Sequence, residues 1–165
     1  MYKNISEIIT DVDGVLTDGS FLYSEKGKIY KRFGPHDSDG VKILRSMDIS
    51  IRSITADKKG FEITKKRTSD LNIDLILVPE EDRLNWIKSN CNLKTTAFIG
   101  DGLYDAAVMK ICALSFAPAN AVDLTKKFAT KVIDTYGGNG VLLSIALMFL
   151  KNRNPRSYYD LERGL

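Results

Sequence analysis

Ile5-Ser6-Glu7-Ile8-Ile9-Thr10-Asp11-Val12-Asp13-Gly14 is the stretch on which the reading of this chain turns. Residues Ile5 to Thr10 are apolar and β-branched enough to read as a strand, and that strand stops at Asp11. Side chains two apart on an extended chain point the same way, so Asp11 and Asp13 can both address one point beyond the strand end. Gly14 then lets the backbone turn away sharply. A lone Asp-x-Asp is most often a turn or a cap, so its meaning depends on what the rest of the chain places beside it. As a calcium loop counted from Asp11, the required glycine would fall on Leu16 and the bidentate glutamate on Leu22, so that reading fails.

Outward from this strand the pattern alternates. Ser20 to Tyr23 and Lys28 to Phe33 read as two strands around the turn signal Glu25-Lys26-Gly27. Further strands are expected at Ile49 to Ile54, Ile73 to Val78, Thr96 to Ile99, Leu114 to Phe116 and Lys131 to Ile133. Between them, helices are expected at Gly40 to Met47, Lys58 to Leu71, the segment opening at Pro79, Asp105 to Cys112 and Ala121 to Phe128. A last helix, Val141 to Leu150, follows Gly137-Gly138-Asn139-Gly140. Strands alternating with helices imply an α/β fold, a mostly parallel sheet with helices on both faces. Residues 1–150 then form one domain with a small hairpin flap at 20–33, and the polar segment 151–165 reads as a flexible tail.

The bulk numbers suit such a domain. The chain has 165 residues, 44% hydrophobic and 27% charged, long enough for one real core and too short for two ordinary ones. A net charge of +3, with basic and acidic residues interleaved, gives no footprint for nucleic acid. The longest apolar run, Val141 to Leu150, is far too short to span a membrane. Cys91 and Cys112 have no metal-ligand spacing and fit a reducing compartment, and the N-terminus lacks a signal pattern, so a cytoplasmic location is expected.

In parallel α/β sheets, ligands bind outside the carboxyl ends of the strands, and the unusual residues gather there. Asp101 closes the strand Thr96 to Ile99, and Asp105 follows a helical turn later. With Asp11 and Asp13 they make four carboxylates that need a cation, and an all-oxygen shell suits Mg2+. Thr55 closes another strand and can bind a phosphate oxygen, while Arg83 can neutralise a phosphoryl group. An acid pair, a cation site, a hydroxyl and a guanidinium form a phosphoryl-transfer constellation.

Asp11-Val12-Asp13-Gly14-Val15-Leu16-Thr17-Asp18-Gly19 closely resembles the first motif of the haloacid dehalogenase superfamily, in its sugar-acid phosphatase branch. The hairpin, Phe33 followed by Asp37-Ser38-Asp39-Gly40, Gly100-Asp101 with Asp105, and Gly137-Gly138-Asn139-Gly140 follow in the order this resemblance expects. It implies a Rossmann-like fold without a large cap, and hydrolysis of a phosphate monoester such as 3-deoxy-D-manno-octulosonate 8-phosphate or an acylneuraminate 9-phosphate. It makes Asp11 the nucleophile that becomes an aspartyl phosphate and Asp13 the acid and base. Magnesium would bind Asp11, Asp101 and the carbonyl of Asp13, with Asp105 supporting that shell. Thr55 and Arg83 would hold the phosphoryl oxygens, and Asp37, Ser38 and Asp57 would meet the substrate.

The chain departs from the pattern in three places. Arg83 stands where the family usually has lysine, Ala56-Asp57 replaces a common Gly-Arg, and Gly102 replaces a second aspartate. The acid at Asp57 weakens an octulosonate assignment. A non-catalytic alternative is a module that assembles or regulates a sugar-acid cytidylyltransferase, against which stand Asp11, Asp13, Thr55 and Asp101. With no cap, the apolar Phe21, Tyr23, Ile29 and Phe33 of the hairpin need a partner surface. The resemblance implies a homotetramer in which each hairpin covers a neighbour's site, with tail arginines such as Arg153, Arg156 and Arg163 within possible reach.

Overall fold

The computed structural model describes residues 2–164. Met1 and Leu165, the outer ends of the expected domain and tail, lie outside them. Six strands, β1 (Glu7–Asp11), β4 (Ser50–Thr55), β5 (Asp74–Leu77), β6 (Thr96–Ile99), β7 (Leu114–Ala117) and β8 (Lys131–Val132), form one sheet in the order β5-β4-β1-β6-β7-β8. Every pairing in it is parallel. The strands β2 (Thr17–Ser24) and β3 (Gly27–Phe33) make a separate antiparallel hairpin.

β1 is central and buried on both sides, which explains its unbroken apolar run. Ile8 joins Leu44, Phe116 and Phe149 in one core, while Ile9 joins Ile54, Phe98 and Ile87 in the other. The first core lies under α1 (Asp37–Arg45) and α6 (Val141–Arg153). The second lies under α3 (Arg83–Asn90) and α4 (Asp105–Met109). The remaining helices of the sheet region are α2 (Phe61–Asp70) and α5 (Asp123–Phe128). The α/β architecture expected from the alternating pattern, Rossmann-like as the resemblance implies, is therefore present, with a small hairpin and, among the described residues, no large cap.

Three local expectations need correction. Residues 58–60 are a loop, not helix, because the Asp57 carboxylate accepts the Gly60 N–H at 3.0 Å and holds the chain in a turn before α2. Pro79 does not open α3 directly; a 3-10 turn, Glu80–Asp82, intervenes. The segment expected as a flexible tail is helical. α6 runs on to Arg153, and Asn154 then caps α7 (Pro155–Glu162) by accepting the Ser157 N–H at 3.3 Å, with Pro155 at the first helical position. The Arg153 guanidinium donates to the carbonyls of Met47 and Tyr2, both at 3.0 Å, and to that of Ile5. It ties the end of α6 to the chain's start, so it is not free to reach a neighbouring site. Among the described residues no helix is long and apolar enough to cross a membrane.

Candidate active site

The carboxyl end of β1 delivers Asp11, 6% exposed, and the backbone breaks away at Gly14 with φ +84°. A Cβ at Gly14 would overlap the Asp101 carboxylate, so glycine is required both for the turn and for the approach of the neighbouring strand end. Asp11, Asp101 and Asp105 each offer an oxygen, and these atoms lie within 4.8 Å of one another. Asp105 is fully buried at the first turn of α4, and its Oδ2 accepts the Gly102 N–H at 2.9 Å.

Such crowding shows in the acidities. Burial lifts Asp11 well above the usual carboxylate range; Arg83 pulls it down, and Asp105 and Asp101 push it up further. Burial, together with Asp105, lifts Asp101 to about 7 although Arg83 opposes it. A divalent cation would relieve this repulsion, and a hard-oxygen donor set fits magnesium.

Arg83 sits at the base of the cluster, 3% exposed. It donates to Asp105 Oδ1 at 2.5 Å and to Asp11 Oδ1 at 3.2 Å. Its Nε is buried and has no hydrogen-bond partner among the described residues. Burial acts to lower the guanidinium's pKa, but Asp11 and Asp105 outweigh it and raise it. Arg83 thus partly neutralises the carboxylates as well as lining the cavity above them.

Asp13 stands apart from the three clustered carboxylates. Its Oδ2 accepts from Lys31 Nζ at 2.9 Å and from the buried Thr55 hydroxyl at 3.3 Å. Thr55 Oγ1 in turn accepts the Asp57 N–H at 3.1 Å. Asp57 pairs with Lys31 at 2.8 Å and also with Lys28. Burial alone would raise Asp57, but the hydrogen bonds from the two lysines outweigh it and hold the carboxyl at about 2. Asp11, Asp13, Lys28, Asp57, Arg83 and Asp101 line one cavity of about 610 Å³ at the strand ends.

Asp37 and Ser38 do not line this cavity. Asp37 is buried at the start of α1, where its Oδ1 accepts the Leu142 N–H of α6 at 2.9 Å, and Ser38 donates to the Pro35 carbonyl at 3.0 Å.

Lys28, Lys31 and Asn120 escaped the reading of the sequence. Asn120 donates to the Gly14 carbonyl at 2.8 Å and accepts the Gly137 N–H at 2.6 Å, clasping the first motif to the glycine loop before α6. Nothing in the spacing around Asn120 marks it. Lys31 did carry a signal, since strand alternation puts it on the same side as Phe33, which packs on the core.

Residues 85–145 match the haloacid dehalogenase-like hydrolase family. The 3-deoxy-D-manno-octulosonate 8-phosphate phosphatase of Haemophilus influenzae is 32% identical, over 98% of this chain and 92% of that protein. The enzyme of the same name from Escherichia coli K12 is 29% identical, over 90% and 80%. Among solved structures, the cobalt-bound Haemophilus influenzae phosphatase superposes with a TM-score of 0.84 at 32% identity, covering 99% of this chain and 97% of that one. The Moraxella catarrhalis octulosonate 8-phosphate phosphatase, in complex with magnesium, phosphate and the sugar acid, gives a TM-score of 0.85 at 25% identity, covering 98% and 94%. At this identity over nearly the whole of both chains, the chain belongs to the haloacid dehalogenase-like hydrolase family, in its sugar-acid phosphatase branch, and is a phosphoric monoester hydrolase.

Proposed function

We propose that the chain is a magnesium-dependent phosphatase for the phosphate monoester of a 2-keto-3-deoxy sugar acid, with 3-deoxy-D-manno-octulosonate 8-phosphate as the first candidate. The observation that carries this reading is the joint placement, at one cavity, of Asp11, Asp13, Arg83 and the Asp11-Asp101-Asp105 cluster. The names of the relatives supply the substrate class.

In the first step an Asp11 carboxylate oxygen bonds to phosphorus while the bond from phosphorus to the sugar oxygen breaks. Asp13 gives its proton to that leaving oxygen. Water then bonds to phosphorus and yields a proton to Asp13, the aspartyl phosphate bond breaks, and inorganic phosphate and the Asp11 carboxylate are regenerated. Asp11, Asp101 and the Asp13 carbonyl would hold magnesium, with Asp105 buttressing them. When bound, the ion supplies positive charge that lets an anionic carboxylate approach an anionic phosphate. The Nε of Arg83, a residue that lines the cavity, is a donor suited to a phosphoryl oxygen, whereas the Thr55 hydroxyl is taken by Asp13 and Thr55 does not line the cavity.

Asp57 favours a second reading of the substrate. An acid held at about 2 by Lys28 and Lys31 stands where octulosonate phosphatases commonly carry arginine, which suits the amide or hydroxyl groups of an acylneuraminate 9-phosphate. Phosphate release from both sugar phosphates, with and without magnesium, tests the proposal. Turnover of neither, by protein shown to be folded, would sink it.

The assembly proposed is a homotetramer sealed by the hairpins. Leu22, Tyr23 and Tyr30 are each more than 60% exposed, which is unusual for a two-stranded ribbon in water. Two free cysteines, Cys91 and Cys112, fit a cytoplasmic enzyme.

A further inference from the structure

We propose that Thr17 is a positioning residue for the cation site: by holding the Gly14 N–H, its hydroxyl sets the direction of the Asp13 carbonyl. This rests on the reading in which Asp11, Asp101 and that carbonyl hold magnesium.

The turn after β1 leaves one acceptor unused. The Val12 carbonyl accepts the N–H groups of Val15, Leu16 and Thr17 at 3.2, 2.9 and 3.1 Å. The Gly14 carbonyl accepts the Asn120 side-chain amide at 2.8 Å, and the Val15 carbonyl accepts the Gly138 N–H at 3.0 Å. Among the described residues the Asp13 carbonyl accepts no hydrogen bond. Gly14 packs directly against the Asp101 carboxylate, so this free carbonyl belongs to a turn that abuts the acidic cluster. A lone unpaired carbonyl among paired neighbours, next to carboxylates, is a hard-oxygen donor suited to a divalent cation.

A peptide unit is planar, and in the trans form its C=O and N–H point in opposite directions. The Asp13–Gly14 bond is trans. A group that holds the Gly14 N–H therefore also holds the Asp13 carbonyl. That group is Thr17 Oγ1, which accepts the Gly14 N–H at 3.1 Å and the Gly19 N–H at 3.2 Å. Thr17 is itself immobilised. It is 0% exposed at the start of β2, pairs with Phe33 of β3, and has a β-branched side chain with few rotamers open to it. On the other side of Gly14, Asn120 holds the next peptide through its carbonyl. With both peptides around Gly14 fixed, the Asp13 carbonyl is oriented before an ion arrives, and binding carries little cost of ordering the turn.

Calorimetry of magnesium binding to the protein alone, without substrate or phosphate, tests the role. Thr17→Val keeps the shape of the side chain but removes the acceptor. Its magnesium dissociation constant should rise by roughly tenfold or more, the scale on which loss of a group that orients a metal ligand is felt. Thr17→Ser keeps the hydroxyl and should recover most of that affinity. Thermal melting without metal reads the structural cost separately. A folded Thr17→Val protein with wild-type affinity would overturn the proposal and leave the hydroxyl a tie within the turn. Equal losses in Thr17→Val and Thr17→Ser would also overturn it, because they would trace the effect to side-chain packing. Should Thr17→Val fail to fold, Thr17→Cys fills the site with a weaker acceptor and is judged by the same constants. A magnesium affinity indifferent to Asp101→Ala would instead overturn the reading of the cation site beneath the proposal.

Discussion

Asp11→Asn keeps the shape of the side chain while removing its capacity to form an acyl phosphate. Sugar-phosphate turnover should fall by at least about a thousandfold, the scale on which loss of a nucleophile is felt. The fold should survive, because Asp11 is a buried carboxyl whose charge burial already opposes, and Arg83 keeps Asp105 as a partner. Steady-state phosphate release together with thermal melting checks both parts; substantial turnover would rule out the covalent route. Asp101→Ala removes one of three clustered carboxylates and should raise the magnesium concentration for half-maximal activity by about tenfold or more, as expected when a charged oxygen ligand is lost. A magnesium titration of activity, supported by calorimetry of metal binding to the protein alone, would show an unchanged midpoint if Asp101 were not a ligand.

At the scale of elements, the junction of α1 and α6 makes its own prediction. Burial raises Asp37 to about 6, although the Leu142 N–H, Arg67 and His36 pull the other way. A carboxyl whose folded pKa lies above its unfolded value favours the folded state at low pH, and that advantage is lost as pH climbs from about 4 through about 6. Asp37→Asn keeps an oxygen for the Leu142 N–H without the charge. Its stability relative to wild type should therefore improve by up to about 2 kcal/mol between pH 4.5 and pH 7.5. Urea unfolding of both proteins across that range checks it; a difference independent of pH would count against it. The same junction explains why the reading of Asp37 as a substrate residue finds no support within one chain. Its motif position was legible, but the side chain turns toward the α6 N-terminus, and only packing reveals that.

For the molecule as a whole, the exposed face of the hairpin predicts association. Leu22→Glu combined with Tyr30→Glu places charge on two side chains exposed by 61% and 63% and leaves Lys28 and Lys31 intact. Light scattering should show the assembly dissociating, with sugar-phosphate activity falling about tenfold or more as water gains access to the site. A wild-type protein that is a fully active monomer would refute the tetramer. Retained assembly in the double variant would place the interface elsewhere.

Strand order of appearance, the capless domain and the identity of Asp11, Asp13, Asp101 and Asp105 were legible in the chain because they are local. A buried parallel strand writes an unbroken apolar run, and a carboxylate after such a run falls at the sheet edge. Arg83 and Thr55 were legible as residues at the strand-end edge, because each begins or ends an element there; of the two, Arg83 lines the cavity. What they touch there was not: Arg83 spans Asp11 and Asp105, and Thr55 supports Asp13. The helical end of the chain was misjudged because α7 is polar along most of its length, and only its packing and the Asn154 cap identify it. Strand alternation marked the side on which Lys31 lies but not its partners, and Lys28 and Asn120 entered the site only through tertiary structure. Each lies far along the chain from its partner, so no periodicity or spacing encodes the contact, and an ion pair such as Lys31 with Asp13 exists only once the hairpin has folded back over the strand ends.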